Sequence, residues 1–119
     1  MLKSGFPWQE PQKSYEAINN GIDWWKYITP RLTEIYTALG YKKDLAVQMA
    51  AALPKQYAKL DKWKLYDDTL SSLIQLNKHQ WKSVLVTNNI PEFPVILKYL
   101  KLESFFEAVY VSSLTGFNK

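Results

Sequence analysis

Apolar residues recur at helical spacing through the first half of the chain. Ile28, Leu32, Ile35 and Leu39 fall on one face of a helix that Asp23 is placed to cap and Gly40 to end. Pro30 lies inside that pattern, and its missing N–H predicts a kink or a junction of two helices. A second helix is expected from Asp44 as its cap, with Leu45, Met49 and Leu53 on one face and Pro54 kinking or ending it.

The texture changes near residue 62. Asp67 or Asp68 opens a helix carrying Leu70, Leu73, Ile74 and Leu76, which gives way to the polar turn Asn77-Lys78-His79-Gln80. Residues 83–87 follow with three successive apolar positions, Val84, Leu85 and Val86, the mark of a parallel strand covered on both faces. Asn89 is then placed as an N-cap, with Pro91 tolerated in the first turn and Glu92 three residues after the cap. The helix over residues 91–101 buries Phe93, Ile96, Leu97 and Leu100 at its i, i+3, i+4 and i+7 positions, and a second β-rich run covers residues 108–112. Strand, helix and strand in this order predict a βαβ unit with adjacent parallel strands and a right-handed crossover. The fold class is therefore α/β, with helices over residues 1–62 ahead of the βαβ unit over residues 63–119. Ligands of such sheets gather at the carboxyl ends of the strands, here Thr87-Asn88 and Ser112-Ser113.

Composition narrows the picture. The 119 residues are 47% apolar and 15% aromatic, which excludes a disordered chain and suits one domain, or a small core with an accessory piece. Fifteen Lys and Arg against eleven Asp and Glu leave a net charge of +4, weak support for an anionic partner. With no cysteine, a disulfide framework, a thiolate zinc site and a Cys nucleophile are excluded. No stretch approaches the ~20 apolar residues of a membrane span. A soluble, cytoplasmic protein is expected.

Thr87 places a hydroxyl at the tip of a buried strand, and the amides of Asn88 and Asn89 follow where a helix opens, an arrangement that offers donors to an anion. An ordinary strand end with an Asn cap has the same spacing. Asp67-Asp68 reads as a helix start that complements the dipole, not as a metal pair, and His79 reads as a surface residue. Lys55, Lys59, Lys62 and Lys64 interleave with Tyr57, Trp63 and Tyr66, as in a nucleic-acid patch or as in an exposed helix end whose aromatics turn inward.

Leu85-Val86-Thr87-Asn88-Asn89, Tyr99-Leu100-Lys101-Leu102, Phe105-Phe106, Val109-Tyr110-Val111-Ser112-Ser113 and Gly116-Phe117-Asn118-Lys119 occur in the order of the second and third motifs of the haloacid dehalogenase superfamily. The chain resembles that family over about residues 63 to 119. The helical first half, with Phe6-Pro7-Trp8 and Trp24-Trp25, is similar to part of the four-helix cap of one branch. The resemblance implies a Rossmann-like parallel sheet and gives Thr87 the role of holding the phosphoryl group and Lys119 that of neutralising charge beside it. Asn88 and Asn89 would bind substrate. It also implies a magnesium-dependent phosphatase that acts through a phospho-aspartate on a small phosphorylated metabolite, with dehalogenation the less expected use. The family's nucleophilic Asp-x-Asp occurs nowhere in these 119 residues, and its fourth, acidic motif is absent as well. On this reading Met1 begins inside the cap, the chain is a fragment with no activity alone, and the Mg2+ ligands of the complete protein are not in it. The alternative is a non-catalytic α/β module that binds an anion or a partner. Neither membrane nor nucleic acid is an expected partner, and an open sheet edge offers a route to association.

Overall fold

The computed structural model describes residues 21–116, and within them helices precede a helix-and-strand half. Helix α1 spans Gly21–Ala38 and helix α2 spans Lys43–Tyr57, and the two pack along each other across a short loop. The loop follows from Gly40. With φ at +94° it takes the left-handed conformation, its N–H donates to the Thr37 carbonyl at 3.0 Å, and the Tyr41 N–H donates to the Tyr36 carbonyl at 3.1 Å. These two bonds are a Schellman close, which satisfies carbonyls left over by the helix end.

Several local expectations are corrected here. Asp23 and Asp44 sit inside the first turns of α1 and α2, not at the caps, so each complements the helix dipole instead of capping an N–H. Pro30 lies within the single helix α1, so it does not join two helices there, and Pro54 lies within α2 and does not end it. The packing face of α2 includes the expected Met49 and Leu53, both half-buried, but is centred on its small residues. Leu45 is 46% exposed, whereas Ala46 and Ala50 are fully buried. Two alanines one turn apart let the helix backbones approach more closely than larger side chains at those positions would allow.

After a short 3-10 turn at Leu60–Lys62, helix α3 spans Thr69–Lys78, strand β1 Val84–Thr87, helix α4 Phe93–Tyr99, strand β2 Ala108–Val111 and helix α5 Ser112–Thr115. The strands are adjacent and parallel, with Val84 against Ala108, Leu85 against Val109, Val86 against Tyr110 and Thr87 against Val111. This is the expected α/β pairing with a helix between the strands. Expected coverage on both faces is not found among the described residues. Leu85, Thr87, Val109 and Val111 share the covered face, while Val84, Val86 and Tyr110 on the other are each about half exposed. A two-stranded sheet has too little area to hold helices on both sides, and for the same reason Leu70, Ile74 and Leu76 of α3 remain exposed.

Asn89 is not the N-cap of α4. Its Oδ1 accepts the Ile90 N–H at 2.8 Å, the Phe93 N–H donates to the Ile90 carbonyl at 3.1 Å across a turn holding Pro91, and Pro94 takes the first-turn position of the helix. Asp68 stands at the N-cap of α3, but its side chain makes no cap hydrogen bond. Ser112, expected at the end of a strand, is the first residue of α5.

The core joins the two halves. Trp24 and Ile28 of α1 cluster with Ile90 and with Ile96 of α4, and Trp63, Leu60 and Leu100 pack around them. Fully burying a side chain such as Ile28 or Ile96 contributes roughly 1.5–3 kcal/mol, so this cluster is the main tie holding α1 over the loop that follows β1.

Candidate functional site

The parallel pairing brings the carboxyl ends of β1 and β2 to one side of the sheet. Thr87 ends β1 and is half-buried, and Val111 opposite it ends β2 at 2% exposure. Beyond these ends the chain turns at Asn88, Asn89 and Ile90 on one side and enters α5 at Ser112 on the other.

A cavity of about 320 Å³ lies between these turns and the helical hairpin. Asn88, Asn89 and Ser112 form its polar edge, and Trp24, Ile28 and Leu32 of α1 with Leu53 and Tyr57 of α2 form an apolar wall. Trp24 and Trp25 meet edge to face, with ring centroids 4.7 Å apart and planes at 87°, which fixes the orientation of both indoles. Trp25 is held further by its indole N–H, which donates to both carboxylate oxygens of Glu92 at 2.9 and 3.1 Å. That bond spans 67 residues and ties α1 to the turn beside the strand end.

Of the residues expected at the site, Asn88 and Asn89 line this cavity, and Thr87 stands immediately before them at the strand tip without lining it. Lys119 lies outside the described residues, as do Phe117-Asn118 and the Phe6-Pro7-Trp8 segment. Ser112, which the sequence marks only as a strand end where ligands gather, lines the cavity, and the aromatic pair, Leu53 and Tyr57 were not expected there. Leu53 had a signal as part of the apolar face of α2, but that it and Tyr57 reach the strand ends follows only from the packing of α2 on α1.

Ser113, which follows Ser112 in the chain, is fully buried and its Oγ has no hydrogen-bond partner. Gly116 follows at φ +79° and closes the last turn, donating to the Ser112 carbonyl at 2.9 Å. Among the described residues no three His, Cys, Asp or Glu side chains stand together where they could hold a metal ion. Glu92, two residues after the lining Ile90, is engaged by Trp25, and Asp23, beside the lining Trp24, pairs with Lys26. These residues therefore do not form a magnesium site, and what they present to a ligand is neutral donors and apolar surface.

Asp67, Asp68 and His79 are exposed. Of the aromatics expected to turn inward, Trp63 does, its N–H donating to the Tyr57 carbonyl at 2.9 Å and its ring meeting Phe93 at 6.1 Å, while Tyr57 is 47% and Tyr66 86% exposed. No helix among the described residues is long and apolar enough to cross a membrane.

The family model for haloacid dehalogenase-like hydrolases matches residues 15–119. Searches of curated proteins and of solved structures found no match.

Proposed function

Since this chain belongs to the haloacid dehalogenase-like hydrolase family, we propose that its strand-end loop holds the phosphoryl group of a small phosphorylated metabolite, with α1 and α2 acting as a cap over it. The observation that carries the reading is the cavity bounded by the β1 and β2 ends on one side and by the helical hairpin on the other. Such a cleft has donors where a phosphate would sit and apolar surface where the rest of a substrate would lie.

In this reading the Thr87 hydroxyl and the Asn88 and Asn89 amides donate to phosphoryl oxygens, and Lys119 supplies the cation. Phosphoryl transfer spreads negative charge over those oxygens, so positioned donors and cations are the protein's main contribution. None of these groups attacks phosphorus. In a phospho-aspartate mechanism a carboxylate oxygen bonds to phosphorus as the ester P–O bond breaks, and the leaving oxygen takes a proton. The 119 residues hold no Asp-x-Asp to supply that carboxylate and acid. The expected property of this chain is therefore phosphate binding without turnover.

The absence of that pair also favours a second reading, a non-catalytic module that holds an anion. Both share the binding step and part at the covalent one. Orthophosphate titration by calorimetry should show binding that weakens roughly tenfold in Thr87→Ala, the loss of one hydrogen bond to a charged ligand. Phosphate release measured with a magnesium titration should stay at background with this chain. Magnesium-dependent turnover abolished by Lys119→Ala would show that a nucleophile stands elsewhere in the sequence. Absence of orthophosphate binding would refute the site itself.

A further inference from the structure

We propose that the cavity over the strand ends selects a phosphate ester with an apolar, ring-bearing leaving group over one with a polyhydroxylated leaving group. The inference rests on the phosphoryl site proposed above and adds to it the chemistry of the other half of the substrate.

Of the wall's side chains only the Trp24 indole N–H and the Tyr57 hydroxyl can hydrogen-bond to a ligand, the Trp25 N–H being taken by Glu92, and no charged side chain lines the cavity among the described residues. Its other polar side chains, Asn88, Asn89 and Ser112, stand at the strand-end side, where the phosphoryl group takes them up. A sugar phosphate in this cleft would set several hydroxyls against indole and aliphatic surface. Each one stripped of water without a partner loses roughly tenfold in affinity. An aromatic ring has no such groups to strand, and its burial against Trp24 and Tyr57 is favourable.

Size agrees with chemistry. An apolar cavity of about 150 Å³ accepts benzene, and the cleft here, at about 320 Å³, has room for a fused pair of rings. Its shape is held in place. Trp24 is 8% exposed and locked edge to face against Trp25, and Ile28 is 3% exposed, so the wall cannot turn polar groups inward. Tyr57, 47% exposed, stands at the solvent side, where its ring can cover one face of a bound arene.

Calorimetric titration of this chain with orthophosphate, glycerol 3-phosphate, 1-naphthyl phosphate and 1-naphthol tests the proposal. Naphthyl phosphate should bind at least tenfold more tightly than glycerol 3-phosphate, and Tyr57→Ala should remove most of that difference. Leu53→Gln, a second change in the wall, should reduce it in the same direction. The ranking of the two esters is read on the unaltered chain, so it holds whether or not either variant folds. Equal affinity for the two esters, with orthophosphate bound, would overturn the apolar preference and leave the phosphoryl site standing. Naphthol binding that Tyr57→Ala weakens, without any orthophosphate binding, would uphold the apolar preference and overturn the phosphoryl site. Binding of none of the four would overturn both.

Discussion

Replacing Trp25 by Phe keeps a ring against Trp24 and removes the N–H that donates to both oxygens of Glu92 at 2.9 and 3.1 Å. A hydrogen bond to a charged group contributes about 1.5–3 kcal/mol when its members are withdrawn from water. Trp25 and Glu92 are both half-buried, so water competes at each end and the lower part of that range applies. The smaller ring also gives up some apolar contact at roughly 25 cal/mol per Å². Trp25→Phe should therefore destabilise by about 2 kcal/mol in all, of which about 1.5 kcal/mol belongs to the bond itself. A double-mutant cycle with Glu92→Ala separates the two parts, because only the bond appears as coupling. Urea denaturation followed by far-ultraviolet circular dichroism gives the free energies, and the melting temperature should fall by about 4–8 °C. A coupling below about 0.3 kcal/mol, the level at which independent sites add, would refute the reasoning. It would mean that α1 is held over the strand-end turn by apolar contact alone.

Lys101, at φ +58°, takes the left-handed position that closes α4, with its N–H donating to the Lys98 carbonyl and the Leu102 N–H to the Leu97 carbonyl. Lys101→Gly should stabilise by about 1 kcal/mol in urea denaturation, and a loss of stability would show the strain is not there. Ala50→Leu puts three extra carbons into the fully buried contact between α1 and α2, so a loss of about 1–3 kcal/mol is expected, and a gain would show unfilled space between the helices. Ser113→Ala removes a buried hydroxyl that has no partner and should be neutral or stabilising by about 1 kcal/mol, whereas marked destabilisation would reveal a bond to that oxygen. The half-exposed Val84, Val86 and Tyr110 beside open strand edges should make the chain associate as concentration rises in sedimentation velocity, with Val86→Lys reducing it. A monomer at every concentration would count against that surface being sticky.

The parts of the fold that were legible in the sequence are those whose signal is local. Val84-Leu85-Val86 is an apolar run too short for a helix, and it forms β1, while Ile96 and Leu97 sit at positions of α4 that period alone assigns to the core. Gly40 ends α1 because few other residues take its φ without strain. Caps were less legible, since Asp23, Asp44 and Asn89 each have the right side chain one or more residues from the right place. A carboxylate near a helix start is favourable both at the cap and within the first turn, and sequence does not distinguish the two. The face of α2 was only partly legible, for another reason. Met49 and Leu53 are half-buried as expected, but the contact is centred on Ala46 and Ala50 and leaves Leu45 exposed, because backbone approach, which no single-sequence pattern encodes, decided the contact with α1. Leu53 was on the expected face, but that it and Tyr57 meet the strand ends follows only from that contact, so the wall of the site was hidden in the packing.

The same division bears on what the site can do. The strand-end donors were legible because they follow from topology, and they are the groups that any phosphate in this cleft would meet. The apolar wall comes from tertiary packing, and it acts on the part of a substrate that does not react. Interactions of that kind hold ground state and transition state alike, so they tighten binding without lowering the barrier from the bound complex. A barrier falls only through groups whose interaction grows as charge develops, and among the residues proposed here those are the Thr87 hydroxyl, the amides after it and Lys119. Even together they stabilise a transfer that some carboxylate must begin. Changes at Trp24, Leu53 or Tyr57 should therefore alter which ester binds, and changes at Thr87 or Lys119 should alter how strongly any phosphate is held. Neither set should create turnover, because creating it requires a nucleophile aligned with phosphorus and not a better-fitted cleft.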